Sequence, residues 1–248
     1  MAAAANPGKP PDYGIDAPIA VRRMFSRAAW SIGIGLLVFL INRTEYPGPA
    51  AQLFGVLGGL GVAFLAAGMF MLWSSKVAKL ELRDRILDSI ALNGDEKVLD
   101  VGCGRGLLMI AAAKRLKAGK ATGVDIWNKQ DLSKNTAEGT KENAKLEGVA
   151  EKVRIENHDA RKLPYPENSY DVVVSNLAIH NIEDHEGRDQ AIREMYRVLK
   201  PGGKLVIHDI LRTGEYAESL RAVGAKSVEL SATSWLWCVP ARTLTAVK

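Results

Sequence analysis

The stretch Lys97-Val98-Leu99-Asp100-Val101-Gly102-Cys103-Gly104-Arg105-Gly106 (KVLDVGCGRG) carries the decision about the fold. Its first half reads as a short buried strand. The three glycines that follow permit a tight turn with positive φ and let backbone approach a ligand closely. Leu107 to Lys117 reads as a helix, whose first amides face the same ligand. Ala121 to Asp125 is a second strand, closed by a carboxylate placed to accept both hydroxyls of a ribose. The loop spacing is Asp-x-Gly-x-Gly-x-Gly, not the Gly-x-Gly-x-x-Gly of dinucleotide sites, which disfavours an NAD-linked oxidoreductase.

Working downstream, a helical segment near Asp131–Glu147 leads to a strand at Lys152–Glu156 and then to Asn157-His158-Asp159-Ala160. Tyr170–Ser175 is a further strand, nearly all apolar, as a strand buried on both faces must be. Glu186–Leu199 reads as a helix, Lys200-Pro201-Gly202-Gly203 as a hard turn, and Lys204–His208 as the next strand. Alternating strands and helices imply an α/β fold with a doubly wound, mainly parallel sheet. Ligands of such sheets sit beyond the carboxyl ends of the strands. Asp100, Asp125, Asp159, Asn176 and Asp209 all fall at such ends, and this is the strongest pattern in the chain.

VLDVGCGRG, GVDIW, HDARKLPYPENSYDVVVSNLAIHN and REMYRVLKPGGKLVI, in that order, closely resemble the successive motifs of class I S-adenosylmethionine (SAM)-dependent methyltransferases, and within them the small-molecule and quinone or sterol subgroup. The resemblance covers residues 76–248. It implies a Rossmann-like seven-stranded sheet with an antiparallel last strand, for which Ala241–Val247 is the candidate, and SAM as cofactor. It implies that Gly102, Gly104 and Gly106 contact the methionine part, with Asp100 as the acidic neighbour of its ammonium. Asp125, with Ile126 beside it, would bind the ribose, Asp159 with Ala160 the adenine, and Ser175 and Asn176 would sit near the amino group. SAM brings an activated methyl, so the protein must mainly align an acceptor and, for an oxygen or nitrogen nucleophile, remove a proton. Candidate bases are His180, after the fourth strand, and His208 with Asp209, after the fifth; Tyr216 is a further candidate. A protein that binds SAM without transferring methyl is the alternative from another class.

Other ligands find little support. His180, Asp184, His185 and Glu186 lack a metal-ligand spacing such as His-Glu-x-x-His, so no metal is expected, and the acidic residues suit a helix N-terminus. Cys103 and Cys238 have the spacing of neither a metal site nor a disulfide framework. The net charge of +5 is spread without a dense Lys/Arg block, and 176–179 read Asn-Leu-Ala-Ile, unlike the Asn-Pro-Pro-Tyr motif of nucleic-acid amine methylation. No nucleic-acid partner is expected. Trp235-Leu236-Trp237 suits either core or a loop touching substrate or bilayer.

Upstream the composition changes. Residues 1–23 are rich in Ala, Pro and Gly and read as a flexible tail. Two apolar segments follow, about 24–41 and 50–73, the second uninterrupted by any charge; about 20 residues suffice to cross a bilayer. Asn42–Pro49 between them makes a polar turn, so the pair reads as a transmembrane hairpin ahead of a domain at 74–248. A cleaved signal peptide and a buried hairpin are the competing readings. Arg22, Arg23 and Arg27 precede the hairpin and Lys76, Lys79, Arg83 and Arg85 follow it, which by the positive-inside rule puts both ends, and the catalytic domain, in the cytoplasm. Gly55, Gly59, Ala63 and Ala67 form a small-residue ridge that either packs on the first helix or mediates a homodimer. The expected partners are a membrane and a small or lipid-like substrate.

Overall fold

A computed structural model describes residues 10–235 and 239–248. Residues 1–9 of the expected tail, and Leu236, Trp237 and Cys238, lie outside the described residues; Trp235 is exposed.

Two long helices come first, α1 (Pro18–Asn42) and α2 (Pro47–Trp73). Each has a proline in its first turn, where a missing N–H costs nothing and φ is preset. A π-turn, Ser74–Ala78, carries α2 without a break into α3 (Lys79–Ile90). The sheet and its helices follow as β1 (Lys97–Val101), α4 (Leu107–Arg115), β2 (Lys120–Asp125), α5 (Ala137–Leu146), β3 (Val153–Asn157), β4 (Tyr170–Asn176), α6 (His185–Val198), β5 (Leu199–Asp209), α7 (Thr213–Ala222), β6 (Lys226–Leu230) and β7 (Arg242–Val247). The strand order is β3-β2-β1-β4-β5-β7-β6. Neighbouring pairs are parallel as far as β5, and β7 is antiparallel to both β5 and β6. This is the doubly wound seven-stranded sheet expected, with the reversed last strand where the motifs place it.

Alternation along the buried strands feeds two cores. Val98, Val172, Val174 and Val206 meet Ile86, Leu87, Met109 and Ile110 on one face. Leu99, Val101, Val173, Leu205 and Ile207 meet Ile192, Met195, Tyr216 and Leu220 on the other. Both faces are covered by helices, as a parallel sheet requires.

Four expectations are corrected. The Lys200–Gly203 turn is part of β5, and the register shift falls between Tyr170 and Val172 of its neighbour; Pro-Gly-Gly here makes an irregularity in a strand, not a loop. The helix expected from Asp131 starts at Ala137, where Thr136 Oγ1 accepts the Gly139 N–H at 3.1 Å. Residues 126–136 instead fold over the end of β2, with Trp127 and Lys134 in the left-handed region at φ 61° and 55°. Elements α7 and β6 were not foreseen, because β6 is a largely exposed edge strand without an apolar run.

The fourth correction concerns the tail. Tyr13 is buried and donates to Glu147 Oε1 at 2.9 Å. Ile15 N–H donates to Ser133 Oγ at 2.7 Å, and the buried Lys79 ammonium donates to the Tyr13 and Gly14 carbonyls at 3.0 and 2.9 Å. Arg105 of the glycine loop donates to the Asp12 carbonyl. Residues 10–17 are thus laid along the domain by partners more than 60 positions away, which composition cannot reveal.

The hairpin helices meet through Gly35, Gly61 and Gly68, where a Cβ on Gly61 would lie 2.5 Å from Ile32 Cγ1. Gly55, Gly59, Ala63 and Ala67 are exposed and nothing lies within 4 Å of a Cβ on Gly55 or Gly59, so that ridge does not pack on α1. Both helices are long and apolar enough to cross a membrane, and only 11% of each apolar window is buried. Trp30, Leu37, Ile41, Val56, Val62 and Met69 all face outward.

Candidate cofactor and acceptor site

A cavity of about 440 Å³ opens beyond the carboxyl ends of β1, β2 and β4, in the size range of small-molecule sites. Its floor is the glycine loop. Gly102, Gly104 and Gly106 have φ 73°, 51° and 85°, a conformation that L side chains rarely adopt. Gly102 N–H and Cys103 N–H donate to the Val124 carbonyl at 2.8 and 3.0 Å, folding the loop over β2. Gly102 and Gly104 line the cavity; Gly106 lies behind them, opening α4, where a Cβ would meet Ile110 and Thr140.

Asp125 ends β2 and lines the cavity. Its Oδ2 accepts the Gly104 N–H at 2.8 Å, and its Oδ1 accepts Trp127 N–H at 2.6 Å and Asn135 Nδ2–H at 3.3 Å. A carboxylate has about four acceptor positions, so these bonds orient Asp125 and leave it able to take a hydroxyl. Ile126 beside it is exposed and also lines the cavity. Asp125→Ala is expected to weaken SAM binding by about 1–3 kcal/mol, the worth of hydrogen bonds to a charged group. Calorimetric titration tests this, and unchanged affinity would remove Asp125 from the site.

Several other residues stand differently from expectation. Asp100 is fully buried and is not among the cavity-lining residues; its Oδ2 accepts the Met109 N–H of α4 at 2.9 Å. Burial pushes its pKa up to about 7, with Asp125 adding to the rise, and the partner of Asp100 among the described residues is the start of α4. Ser175 is buried and donates to the Val101 carbonyl at 2.8 Å, stitching β4 to β1. Asp159 and Ala160 do line the cavity, but the Asp159 carboxylate is held by Arg161, whose guanidinium lowers its pKa.

His180 and Asp209, foreseen as separate candidates, are brought together. His180 lines the cavity from the short 3₁₀ turn Ile179–Asn181, and its Nδ1 lies 2.5 Å from Asp209 Oδ1. Asp209 also receives His180 N–H (3.1 Å), Ile210 N–H (2.8 Å) and Tyr216 O–H (3.4 Å). With three other donors on the Asp209 carboxylate, His180 Nδ1–H is the fourth, which turns Nε2 away from Asp209. Burial and Asp209 push the Tyr216 phenol well above its usual range, making it a donor and not a base. The buried Arg188 was not foreseen. It donates to the Ile182 and Glu183 carbonyls at 2.8 and 2.7 Å and holds the loop that carries His180.

His208 leaves the list of bases. It is 1% exposed, absent from the cavity wall, and its Nδ1 lies 2.9 Å from Thr243 Oγ1. Burial lowers its pKa to about 4. Between the ordinary value near 6.5 and 4, the unfolded chain binds the proton that the fold refuses, so this group's stability contribution is lost as pH falls through that window. At about 1.4 kcal/mol per pH unit, the loss is on the order of 3 kcal/mol. His208→Gln should flatten the dependence of the denaturation midpoint on pH between 6.5 and 4; an unaltered slope would contradict this. Asp100 slopes the opposite way, since the fold retains its proton up to about 7, and the comparison with His208→Gln cancels that contribution.

The residues present fit SAM. Asn135 Oδ1 and Asn176 Oδ1 are buried acceptors without a protein partner among the described residues, and both residues line the cavity. Buried acceptors want donors, and SAM supplies an ammonium and ribose hydroxyls. The side-chain-free floor at Gly102 and Gly104, with Asp125 between them and Asn135, completes a matching donor and acceptor set.

Residues 99–207 match the family described as methyltransferase domain. The chain is 34% identical over 146 residues to the 27-O-demethylrifamycin SV methyltransferase of Amycolatopsis mediterranei, covering 56% of this chain and 49% of that one. It is 35% identical over 125 residues to a demethylmenaquinone methyltransferase of Staphylococcus aureus, covering 50% and 47%. The chain spans 48–63% of the length of the first curated relatives it matches. A SAM-dependent methyltransferase from Aquifex aeolicus superposes with a TM-score of 0.55 at 20% identity, over 69% of this chain and 93% of the other, which shows the fold. The strand order, the glycine loop and these matches together support a methyltransferase domain of the class I SAM-dependent type around residues 99–207.

Proposed function

We propose that the protein transfers a methyl group from SAM to a small lipophilic acceptor at a membrane surface, with His180 as general base. One observation carries the reading: His180, held from behind by the buried Asp209, lines the same cavity as the glycine loop and Asp125. When bound, SAM supplies an electrophilic methyl on a sulfonium. The protein's part is to hold the cofactor on the loop, to orient the acceptor, and to take its proton at His180 Nε2. Asp209 fixes the imidazole in the tautomer that leaves Nε2 basic and stabilises the imidazolium that forms.

The acceptor class is supported by the surroundings. Relatives whose names specify a demethylmenaquinone and a demethylrifamycin keep it among small molecules. Around the hairpin, exposed apolar side chains run the length of both helices, far more contiguous than a soluble monomer keeps. Read as a bilayer hairpin, it places α1's Arg22, Arg23 and Arg27 and the Lys76–Arg85 cations on one side, the cytoplasmic one by the positive-inside rule. The exposed Gly55–Ala67 ridge is then left for lipid or for a second copy of the chain.

The full-length protein in lipid vesicles, titrated with SAM, S-adenosylhomocysteine and NAD, tests the cofactor. Binding of neither SAM species would sink the reading. Labelled methyl from SAM, offered with membrane extract and with soluble extract, tests the acceptor. Label should enter the membrane extract; label in the soluble extract alone would overturn the lipophilic part, and binding without transfer to either would favour a regulatory SAM-binding protein.

A further inference from the structure

We infer that the hairpin is part of the acceptor site: Ala17, Ala20 and Met71 wall a port through which the acceptor enters sideways from the bilayer, and Met71 helps set which acceptors fit. The inference rests on the membrane reading above. Ala17 and Ala20, at the start of α1, and Met71, near the end of α2, line the same cavity as His180. Ala17 N–H donates to the Asp131 carbonyl at 3.2 Å, and Asp131 itself lines the cavity, so the start of α1 is tied into its wall.

The same helical turns that wall the cavity face lipid on their other side. Met69, Phe70 and Trp73 flank Met71 and are 57%, 44% and 47% exposed. The Phe70 and Trp73 rings stack 5.6 Å apart at the end of the apolar run, a place suited to the boundary between acyl chains and headgroups. Alongside them α1 is no longer wholly apolar: Gly68 packs on Met24 and Phe25, next to the exposed Arg22 and Arg23. The port itself carries two methyl groups and one thioether. Such a lining passes an apolar body without stripping water from any charge, and the unbranched methionine adapts to its shape. The Lys79–Asp16 ion pair, at 3.3 Å in the same wall, gives the port a polar rim toward the domain. An acceptor with an apolar tail can therefore present its polar nucleophile to His180 while the tail stays in the hydrocarbon.

Full-length protein in phosphatidylcholine vesicles that contain a diazirine-bearing farnesol is photolysed, and labelled residues are read by mass spectrometry. Label is expected on outward hairpin residues such as Val56 and Val62, and also on Ile182 and Ile210 inside the cavity. Met71→Trp should reduce the cavity label at least tenfold, leaving hairpin label and S-adenosylhomocysteine binding unchanged, whereas Met71→Leu should retain it. Ala20→Leu narrows the port from the other helix, and gives a second block should Met71→Trp lose cofactor binding by misfolding. A labelled hairpin with a clean cavity, or cavity label indifferent to both blocks, overturns the port alone. An unlabelled hairpin overturns the membrane reading and the port with it.

Discussion

Methyl transfer by the His180→Ala protein is expected to fall about 10²–10⁴-fold, the usual worth of a positioned general base, with S-adenosylhomocysteine affinity held within about twofold of the parent. The separation follows from geometry. His180 sits on the 3₁₀ turn after β4, while the glycine loop and Asp125 sit after β1 and β2. Asp209→Asn should lose a similar factor for a different reason. Its amide oxygen and nitrogen cannot replace two acceptor oxygens that already take four donors, so the ring loses the bond that fixes its tautomer. Transfer by His180→Ala within tenfold of the parent would show that His180 is not the base.

Gly102→Ala should be as severe, and should act on cofactor binding. A Cβ at Gly102 would stand 2.2 Å from the Ala178 Cβ, where ordinary carbon contacts are about 3.5–4.0 Å. Neither side yields easily. Gly102 is locked by its hydrogen bond to Val124, and Ala178 follows Leu177, whose φ of 53° already fixes the chain in the left-handed region. A left-handed alanine adds about 1 kcal/mol of its own. The variant is expected to lose at least a hundredfold in SAM affinity by calorimetry and to melt at a lower temperature. Removing the opposing methyl as well, in Gly102→Ala with Ala178→Gly, should restore part of the affinity, because it relieves the clash but not the φ. SAM affinity within threefold of the parent in the single variant would refute the argument.

These two residues show what could be read in advance. Gly102 belongs to a local motif in which a strand, a turn and a helix occupy consecutive positions, so its role is written in its neighbours. Asp125 is legible for the same reason, one strand further on. Asp100 and Ser175 lie in equally clear motifs, yet Asp100 bonds to the start of α4 and Ser175 to the neighbouring strand, and motif position does not say which way a side chain points. The His180–Asp209 pair joins positions 29 apart, and each member alone is an ordinary polar residue after a strand. His208 shows the converse: next to Asp209 in the chain, it alternates into the core because successive strand residues face opposite ways. Asn135 lies in a segment whose pattern suits a helix, and its place against Asp125 comes from a fold of residues 126–136 that the pattern does not show. The clamp formed by Asp12, Tyr13, Lys79 and Arg105 depends on long-range partners throughout.

The uninterrupted passage from α2 through the π-turn into α3 makes one rod of 44 residues, Pro47–Ile90, which ends beneath the sheet with Leu87 and Ile90 in the core. A flexible linker would let a tethered domain sample a hemisphere of solvent above its anchor. A rod gives it one height and one tilt. On the proposed orientation, the search for an acceptor becomes two-dimensional: enzyme and substrate drift in the same plane, and encounter rates follow lateral diffusion and surface density in place of bulk concentration. Diluting the vesicles at constant acceptor-to-lipid ratio should then leave turnover unchanged, whereas diluting the acceptor within the lipid should slow it.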